Sequence, residues 1–322
     1  MISVAMATYN GEKFIREQLD SILAQTITDW ELIVCDDVST DSTIAILEEY
    51  AKKDGRIQIH KNKVNLGFKH NFEKAISLCN GDYIALCDQD DIWYSNHLEV
   101  LYNQIGNHSL SIGNSDIVDE NNLFCGHRMS ETDYLTFLPT NCEKLIYREL
   151  LNSNPFQGAA MLLKKTFADT CIPIPDNVLF HDTWISACAC AQEGIIYSYE
   201  PIIRYRQHQN NVTHHSGRQK KINKWKTYFS YIVKLINTVT NKHLSSTDRF
   251  EIAENLRVRY GGFNDDFVQI SMFLENAKKQ KLNINDVLFL WKNMEYITTS
   301  HSKRGFFRFW FLWSHMYPIN NE

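Results

Sequence analysis

The sequence predicts an α/β protein, a mostly parallel sheet flanked by helices, with a helical C-terminal domain behind it. Three observations predict this. Over roughly the first 100 residues, short apolar runs alternate with segments of helical period, the pattern of βαβ units. Polar clusters follow three of those runs, where ligands collect in open α/β sheets. Beyond about residue 218 strand signals vanish and the chain turns helical, Lys-rich and aromatic, so the domains are drawn as 1–217 and 218–322.

Each element follows from local pattern. Residues 2–7 read as the first strand. Glu12 to Gln25 follows as a helix, with Phe14, Ile15, Leu19, Ile22 and Leu23 on one face. Glu31 to Cys35 is a short buried strand, and Asp41-Ser42-Thr43 caps a second helix that runs to about Lys53. Arg56 to Lys61 makes the third strand, Lys69 to Cys79 the third helix, and Tyr83 to Cys87 the fourth strand. From about 107 to 217 the pattern is less regular, with strands expected at Gly158–Leu163 and Ile195–Tyr199 and a helix over His181–Gln192 closed by Gly194.

Composition narrows the function. A net charge of -5 lacks the Lys/Arg excess a nucleic-acid partner demands, so any bound phosphate is small and locally held. The eight cysteines (35, 79, 87, 125, 142, 171, 188, 190) form no CxxC pair and read as free thiols of a reducing cytosol. Met1 runs straight into an apolar strand without a secretory leader pattern, and no run reaches the ~18 apolar residues of a membrane span. A cytoplasmic location is expected, with the inner face of the cell membrane as a further address.

Asp88, Asp90 and Asp91 lie directly after an apolar strand, where clustered carboxylates repel one another unless a cation is present. Such oxygens suit Mg²⁺ or Mn²⁺, shared with substrate phosphates. A solvated acidic loop is the plainer alternative. Asp36 and Asp37 end the second strand and precede Ser39-Thr40-Asp41, so Asp37 either accepts from the imide N–H of a pyrimidine or merely helps form a turn.

Ala7-Thr8-Tyr9-Asn10-Gly11, Trp30 to Asp37 with Ser39-Thr40-Asp41, Asn65-Leu66-Gly67, Gly81-Asp82-Tyr83-Ile84 and Asp88 to Trp93 occur in order. Together they resemble family 2 glycosyltransferases of the GT-A fold, over roughly residues 1–210. The resemblance implies an inverting transferase with a nucleotide-sugar donor pocket. In it the Ala7, Thr8 and Tyr9 loop and Asp37 hold the base, Asn65 and Gly67 lie along the donor, and Asp88 and Asp90 hold Mn²⁺ or Mg²⁺ and the diphosphate. Asp90 matches the direct metal ligand best. Val38 stands where many relatives have Gly. The text Asp-Gln-Asp-Asp-Ile-Trp is similar to a bacterial rhamnosyltransferase-like subgroup, which implies a dTDP-sugar, with UDP-sugars the other candidates.

Asp182, at the start of a helix after Ile172-Pro173-Ile174-Pro175, is either an N-cap or a base. Its family position matches the general base, and His181 departs from the Glu that relatives often carry beside it. Arg206 and His208 either reach the donor diphosphate and the metal or form a solvated basic turn. Lys69 and Asn71 are placed near the donor ribose or sugar, or simply on an exposed helix start. His60, His70, His97 and His127 lack metal-ligand spacing and are expected at the surface.

Arg218 to His243 holds seven Lys/Arg, no acidic residue, and aromatics at helical spacing, and Lys303 to Trp313 sets aromatics beside cations. Both read as peripheral membrane contact or as packing, on the core or in an oligomer. The acceptor is then a glycan, polyprenyl-linked or on a growing cell-surface polysaccharide. Two other classes remain open. A nucleotidyltransferase would show a Gly-rich basic loop after the first strand, where Thr8-Tyr9-Asn10-Gly11-Glu12 stands. A non-catalytic nucleotide- or glycan-binding module would not need Asp182.

Overall fold

The computed structural model describes residues 1–131, 156–192, 194–209, 211, 255–256 and 258–260. One compact unit comprises Met1–Glu149 and Ser153–His215, and a second comprises Leu150–Asn152 and Ser216–Glu322. The basic stretch 218–243, the aromatic stretch 303–313 and Cys142 lie outside the described residues, and Cys35, Cys79, Cys87, Cys125 and Cys188 are free thiols. No helix among the described residues is long and apolar enough to cross a membrane.

Nine strands form one mixed sheet in the order β3-β2-β1-β4-β8-β6-β9-β5, with β7 beside β6. They are β1 (Ile2–Thr8), β2 (Trp30–Asp36), β3 (Ile57–Lys61), β4 (Tyr83–Cys87), β5 (Ile92–Trp93), β6 (Leu110–Val118), β7 (Phe124–Arg128), β8 (Met161–Lys164) and β9 (Ile195–Arg206). The helices are α1 (Ile15–Leu23), α2 (Thr43–Lys53), α3 (Gly67–Leu78), α4 (His97–Ile105), α5 (Lys165–Cys171) and α6 (His181–Cys190). Strands β3, β2, β1 and β4 pair in parallel. Because β8 runs antiparallel to both β4 and β6, and β9 runs parallel to β6, the C-terminal ends of β1, β2, β4, β6 and β9 all open on one edge.

Burial explains why these segments are strands. Val4, Ala5 and Met6, Leu32 to Cys35, and Ile84 to Cys87 are fully buried, the continuous apolar runs of a sheet covered on both faces. Helix α1 covers it with Ile15, Leu19 and Ile22, spaced to share one side. At the start of α2 the Asp41 carboxylate accepts from the Thr43 N–H at 3.0 Å, and the Thr43 hydroxyl accepts from Gly11 N–H at 2.7 Å, tying the β1 loop to this helix.

The irregular stretch after residue 107 holds more structure than its text suggests. Strand β6 is long and nearly all buried, yet reads Leu-Ser-Ile-Gly-Asn-Ser-Asp-Ile-Val, with polar and small residues hiding the apolar signal. Gly113 is needed there, since a Cβ would lie 2.2 Å from Ile202 Cδ1 of β9. The expected strand at 158–163 is shifted: Gly158–Ala160 form a 3-10 turn and the strand is Met161–Lys164. The strand beginning at Ile195 does not stop at Tyr199 but continues, through register shifts against β6, to Arg206.

Candidate active site

The floor of the open edge is the loop after β4. Its residues are used in different ways. Asp91 is fully buried and accepts from the Arg206 backbone N–H at 2.9 Å. Asp90 is half-buried, and its Oδ2 lies 2.8 Å from His208 Nε2. The His208 ring rests on Phe14 at 4.8 Å between centroids. Asp88 is half-buried, and burial first, then the charges of Asp90 and Asp182, push its carboxyl up to about 8. Burial first, then the charges of Asp90 and Asp88, push Asp91 up as well.

Gln89, which sequence reasoning missed, joins this loop to β1. Its Oε1 accepts from Tyr9 N–H at 2.9 Å, and its Nε2 donates to Tyr9 O at 3.0 Å, as a strand neighbour would. Gly11 makes room for it, because a Cβ there would lie 2.3 Å from Gln89 Oε1. The spacing of Gln89 within the acidic run carried no sign of this contact.

Arg206 corrects an expectation. Its side chain is 1% exposed, and the guanidinium donates to Asp90 O at 2.8 Å, Glu120 O at 2.9 Å and Glu17 Oε2 at 2.9 Å while lying over the Phe14 ring. With those donors committed beneath the loop, Arg206 braces Asp90 from behind rather than facing a diphosphate. Glu17 and Glu120, which hold it, gave no signal in sequence because they belong to distant elements.

At the β2 end the geometry also differs from the reading. Asp37 is 2% exposed; Oδ1 accepts from Asn62 Nδ2 at 2.7 Å and Leu66 N at 2.8 Å, and Oδ2 accepts from Gly67 N at 2.9 Å. Of the roughly four acceptor positions on a carboxylate, one remains on Oδ2. Asn65 donates from its side chain to Asp37 O at 3.1 Å, and Gly67 takes a φ of +77° that suits glycine. Asp36 accepts from Thr8 Oγ1 at 2.9 Å and Ser39 N at 2.9 Å, so Thr8, 1% exposed, is bound inside the chain. Tyr9, half exposed, is the member of the β1 loop that a base can meet, with Ala7 behind it. Val38 has a φ of 69°, so the departure from Gly puts a β-branched residue in the left-handed region.

Asp182 sits in the first turn of α6, its Oδ1 accepting from Thr183 N at 2.6 Å, and its charge acts on Asp88. The sheet thus brings Asp88, Asp90, His208 and Asp182 to one crevice. His181 is 7% exposed, stacks on Phe72 at 4.1 Å, and makes no hydrogen bond through either ring nitrogen. Burial pulls its pKa down to about 3, so it stands neutral beside Asp182. Its Nε2 would be 2.8 Å from a Cβ at residue 158, which Gly158 avoids.

Three further positions depart from expectation. Lys69 is bound to carbonyls of the 175–178 segment, and Asn71 is buried, donating to Cys35 O at 2.8 Å. His97 is not at the surface: it is fully buried, stacked 3.8 Å from Trp93, and bonded through Nδ1 to Ile202 O.

Among the described residues no group of three or more His, Cys, Asp and Glu side chains is arranged to enclose a metal ion. The Asp90–His208 pair beside the charge-loaded Asp88 fits a different arrangement, in which a hard divalent ion takes two or three ligands here and the rest from donor phosphates.

Residues 3–170 match Glycosyl transferase family 2. The chain is 29% identical over 264 residues to the dTDP-rhamnosyl transferase RfbG of Shigella flexneri, covering 73% of this chain and 85% of that one. It is 35% identical over 125 residues to the UDP-Glc:alpha-D-GlcNAc-diphosphoundecaprenol beta-1,3-glucosyltransferase WfgD of Escherichia coli, 38% of this chain and 49% of that one. The fold resembles residues 1–349 of TarS from S. aureus, solved in complex with UDP-GlcNAc, at a TM-score of 0.51 and 18% identity, over 92% of this chain and 81% of that one. The nucleotidyltransferase alternative gives way to these matches: a mixed sheet with its acidic loop after β4, matched over half its length, makes the chain a member of Glycosyl transferase family 2.

Proposed function

We propose that this transferase is inverting and that it moves a sugar, rhamnose from a dTDP donor in the first instance, onto a polyprenyl-linked oligosaccharide or a growing cell-surface polysaccharide. The observation that carries the mechanism is the meeting of Asp182 from α6 with the Asp88–Asp90–His208 group across the same crevice. RfbG supports the rhamnosyl donor and WfgD the diphosphoundecaprenol type of acceptor. A UDP-sugar is the second donor class. The reaction takes place on the cytoplasmic side, at the inner face of the membrane, with the segment after residue 217 supplying peripheral membrane or subunit contact.

In this mechanism Tyr9 and the last acceptor position of Asp37 hold the base, while Asn65 and Gly67 shape the pocket wall. Asp90, oriented by His208 and braced by Arg206, faces the diphosphate with Asp88. The chemistry a bound Mg²⁺ or Mn²⁺ supplies at Asp90 and His208 is positive charge against the departing diphosphate. Asp182 takes the proton of the acceptor hydroxyl as that oxygen bonds to the anomeric carbon, and the bond to the diphosphate oxygen breaks on the opposite face with inversion. The neutral His181 adds no charge that would hold Asp182 less basic.

A thermal-shift panel of dTDP, UDP and GDP with and without Mn²⁺, followed by turnover of Asp182→Asn, tests this. We expect one nucleotide to stabilise only with the ion, and Asp182→Asn to bind it normally while losing at least about 100-fold in kcat. Near-parent turnover in that variant removes Asp182 as base. No shift with any of the three nucleotides favours a binding module.

A further inference from the structure

We propose that Lys69 is a positioning residue for Asp182: its ammonium clamps the turn leading into α6 and fastens the base to the same helical turn that closes the donor pocket. The proposal rests on the reading of Asp182 as the base. Lys69 lies in the first turn of α3, where the helix dipole disfavours a cation. Its Nζ instead donates to Pro175 O at 3.1 Å, Asp176 O at 2.8 Å and Val178 O at 3.0 Å. An ammonium has three N–H donors, so its capacity is filled and none is left for a ribose or sugar.

The clamped segment is itself a closed turn, with Val178 N–H donating to Pro175 O at 3.1 Å. One helical turn further along α3, Glu73 Oε2 accepts from Ile174 N–H at 2.9 Å, gripping the other end. Val178 is 2% exposed, and Phe180, which caps α6, meets Phe68 at 5.7 Å. Phe72 stacks under His181. On its opposite side the start of α3 is bound to Asp37 through the N–H groups of Leu66 and Gly67. A single turn of helix therefore holds β2 with its backbone and the approach to Asp182 with its side chains. Losing the ammonium removes its bonds to Asp176 O and Val178 O and leaves Pro175 O with the Val178 N–H alone, while the Asp37 bonds stay in place.

The test uses the full chain with Lys69→Met, Lys69→Arg and the double variant Lys69→Met/Asp182→Asn. In Lys69→Met, amides of residues 174–184 should exchange with deuterium at least about tenfold faster while those of β1 and β2 do not change. UDP and dTDP affinity should stay within about twofold, and kcat should fall on the order of 10- to 100-fold with whichever of UDP-glucose, UDP-N-acetylglucosamine and dTDP-rhamnose is turned over. Lys69→Arg, which keeps a cation with several donors, should retain most of the rate. Adding Lys69→Met to Asp182→Asn should not slow the residual rate further, because the clamp acts through the base. Unchanged exchange at 174–184, a loss confined to nucleotide affinity, or an equal further loss in the double variant would overturn the clamp. High turnover in Asp182→Asn alone would instead overturn the base assignment.

Discussion

Asp37→Asn separates the two uses a buried carboxylate can have at the end of β2. In the structure it accepts from Asn62 Nδ2, Leu66 N and Gly67 N at 2.7, 2.8 and 2.9 Å, joining β2 to the start of α3. An amide in its place keeps one oxygen, best used where two N–H groups already converge, and turns an NH₂ toward the Gly67 N–H. Losing that bond to a charged acceptor costs about 1.5–3 kcal/mol, and the two retained bonds drop from charge-assisted to neutral, about 0.5–1 kcal/mol each. The sum is about 3–5 kcal/mol, a large part of the ~5–15 kcal/mol by which a domain is stable. At about 2–4 °C per kcal/mol for a domain of this size, the midpoint should drop by roughly 6–20 °C. Urea and thermal unfolding measure it, with UDP and dTDP binding followed in parallel. If Asp37→Asn unfolds within about 1 kcal/mol of the parent yet no longer binds nucleotide, the carboxylate serves the ligand and the structural reasoning fails.

Arg206→Met should destabilise by about 3 kcal/mol or more in urea unfolding, since the guanidinium leaves the Phe14 ring and Asp90 O and Glu120 O lose a buried donor. An effect under about 1 kcal/mol would mean that the brace is dispensable. His97 gives a pH dependence. Burial holds its pKa at about 3 against an unfolded value near 6.5, so the unfolded chain binds the extra proton. The stability from keeping it neutral is complete above about pH 6.5 and is lost as pH falls from there toward 3, about 2 kcal/mol of it by pH 5. His97→Asn keeps an N–H for Ile202 O but cannot titrate, so its stability should fall less than the parent's, by about that amount, between pH 7.5 and 5; parallel curves would refute the assignment.

Where the chain's text is periodic, it translates directly into structure. The alternation through Cys87 places β1 to β4 and α1 to α3 within a few residues, because each element buries an apolar face that its own spacing displays. It fails at β6, where a close-packed sheet centre needs Gly113 and tolerates Asn114, bonded to Tyr199 O of β9 and to Ser130 Oγ, and Ser111, which accepts from Gln104 of α4. It fails again at His97, whose imidazole behaves as a flat apolar surface against Trp93 once its Nδ1 proton has found Ile202 O. Neither context lies within reach of a local window.

The acids of the crevice show why a site is harder to read than a fold. Asp36, Asp37, Asp88, Asp90 and Asp91 follow apolar strands alike, and in text they are equivalent. What divides them is whether N–H and O–H groups of the chain reach them before a ligand can. Asp36 is taken by Thr8 and Ser39, Asp37 by the turn into α3, and Asp91 by the backbone of Arg206. Among the described residues Asp90 meets His208, a side chain that can itself ligate a metal, and burial with the charges of Asp90 and Asp182 disfavours the ionised form of Asp88. Those two are therefore the acids left for a cation and a diphosphate. The same accounting reassigns the basic residues, which text would aim at phosphate or sugar: Lys69 spends its three N–H groups on carbonyls of the chain, and Arg206, 1% exposed, directs Nε, Nη1 and Nη2 to Asp90 O, Glu120 O and Glu17 Oε2. In the proposed mechanism positive charge for the leaving group arrives with the donor as a metal ion, so nucleotide without Mn²⁺ should bind weakly in a thermal-shift titration; equal binding with and without the ion would refute that part of the proposal.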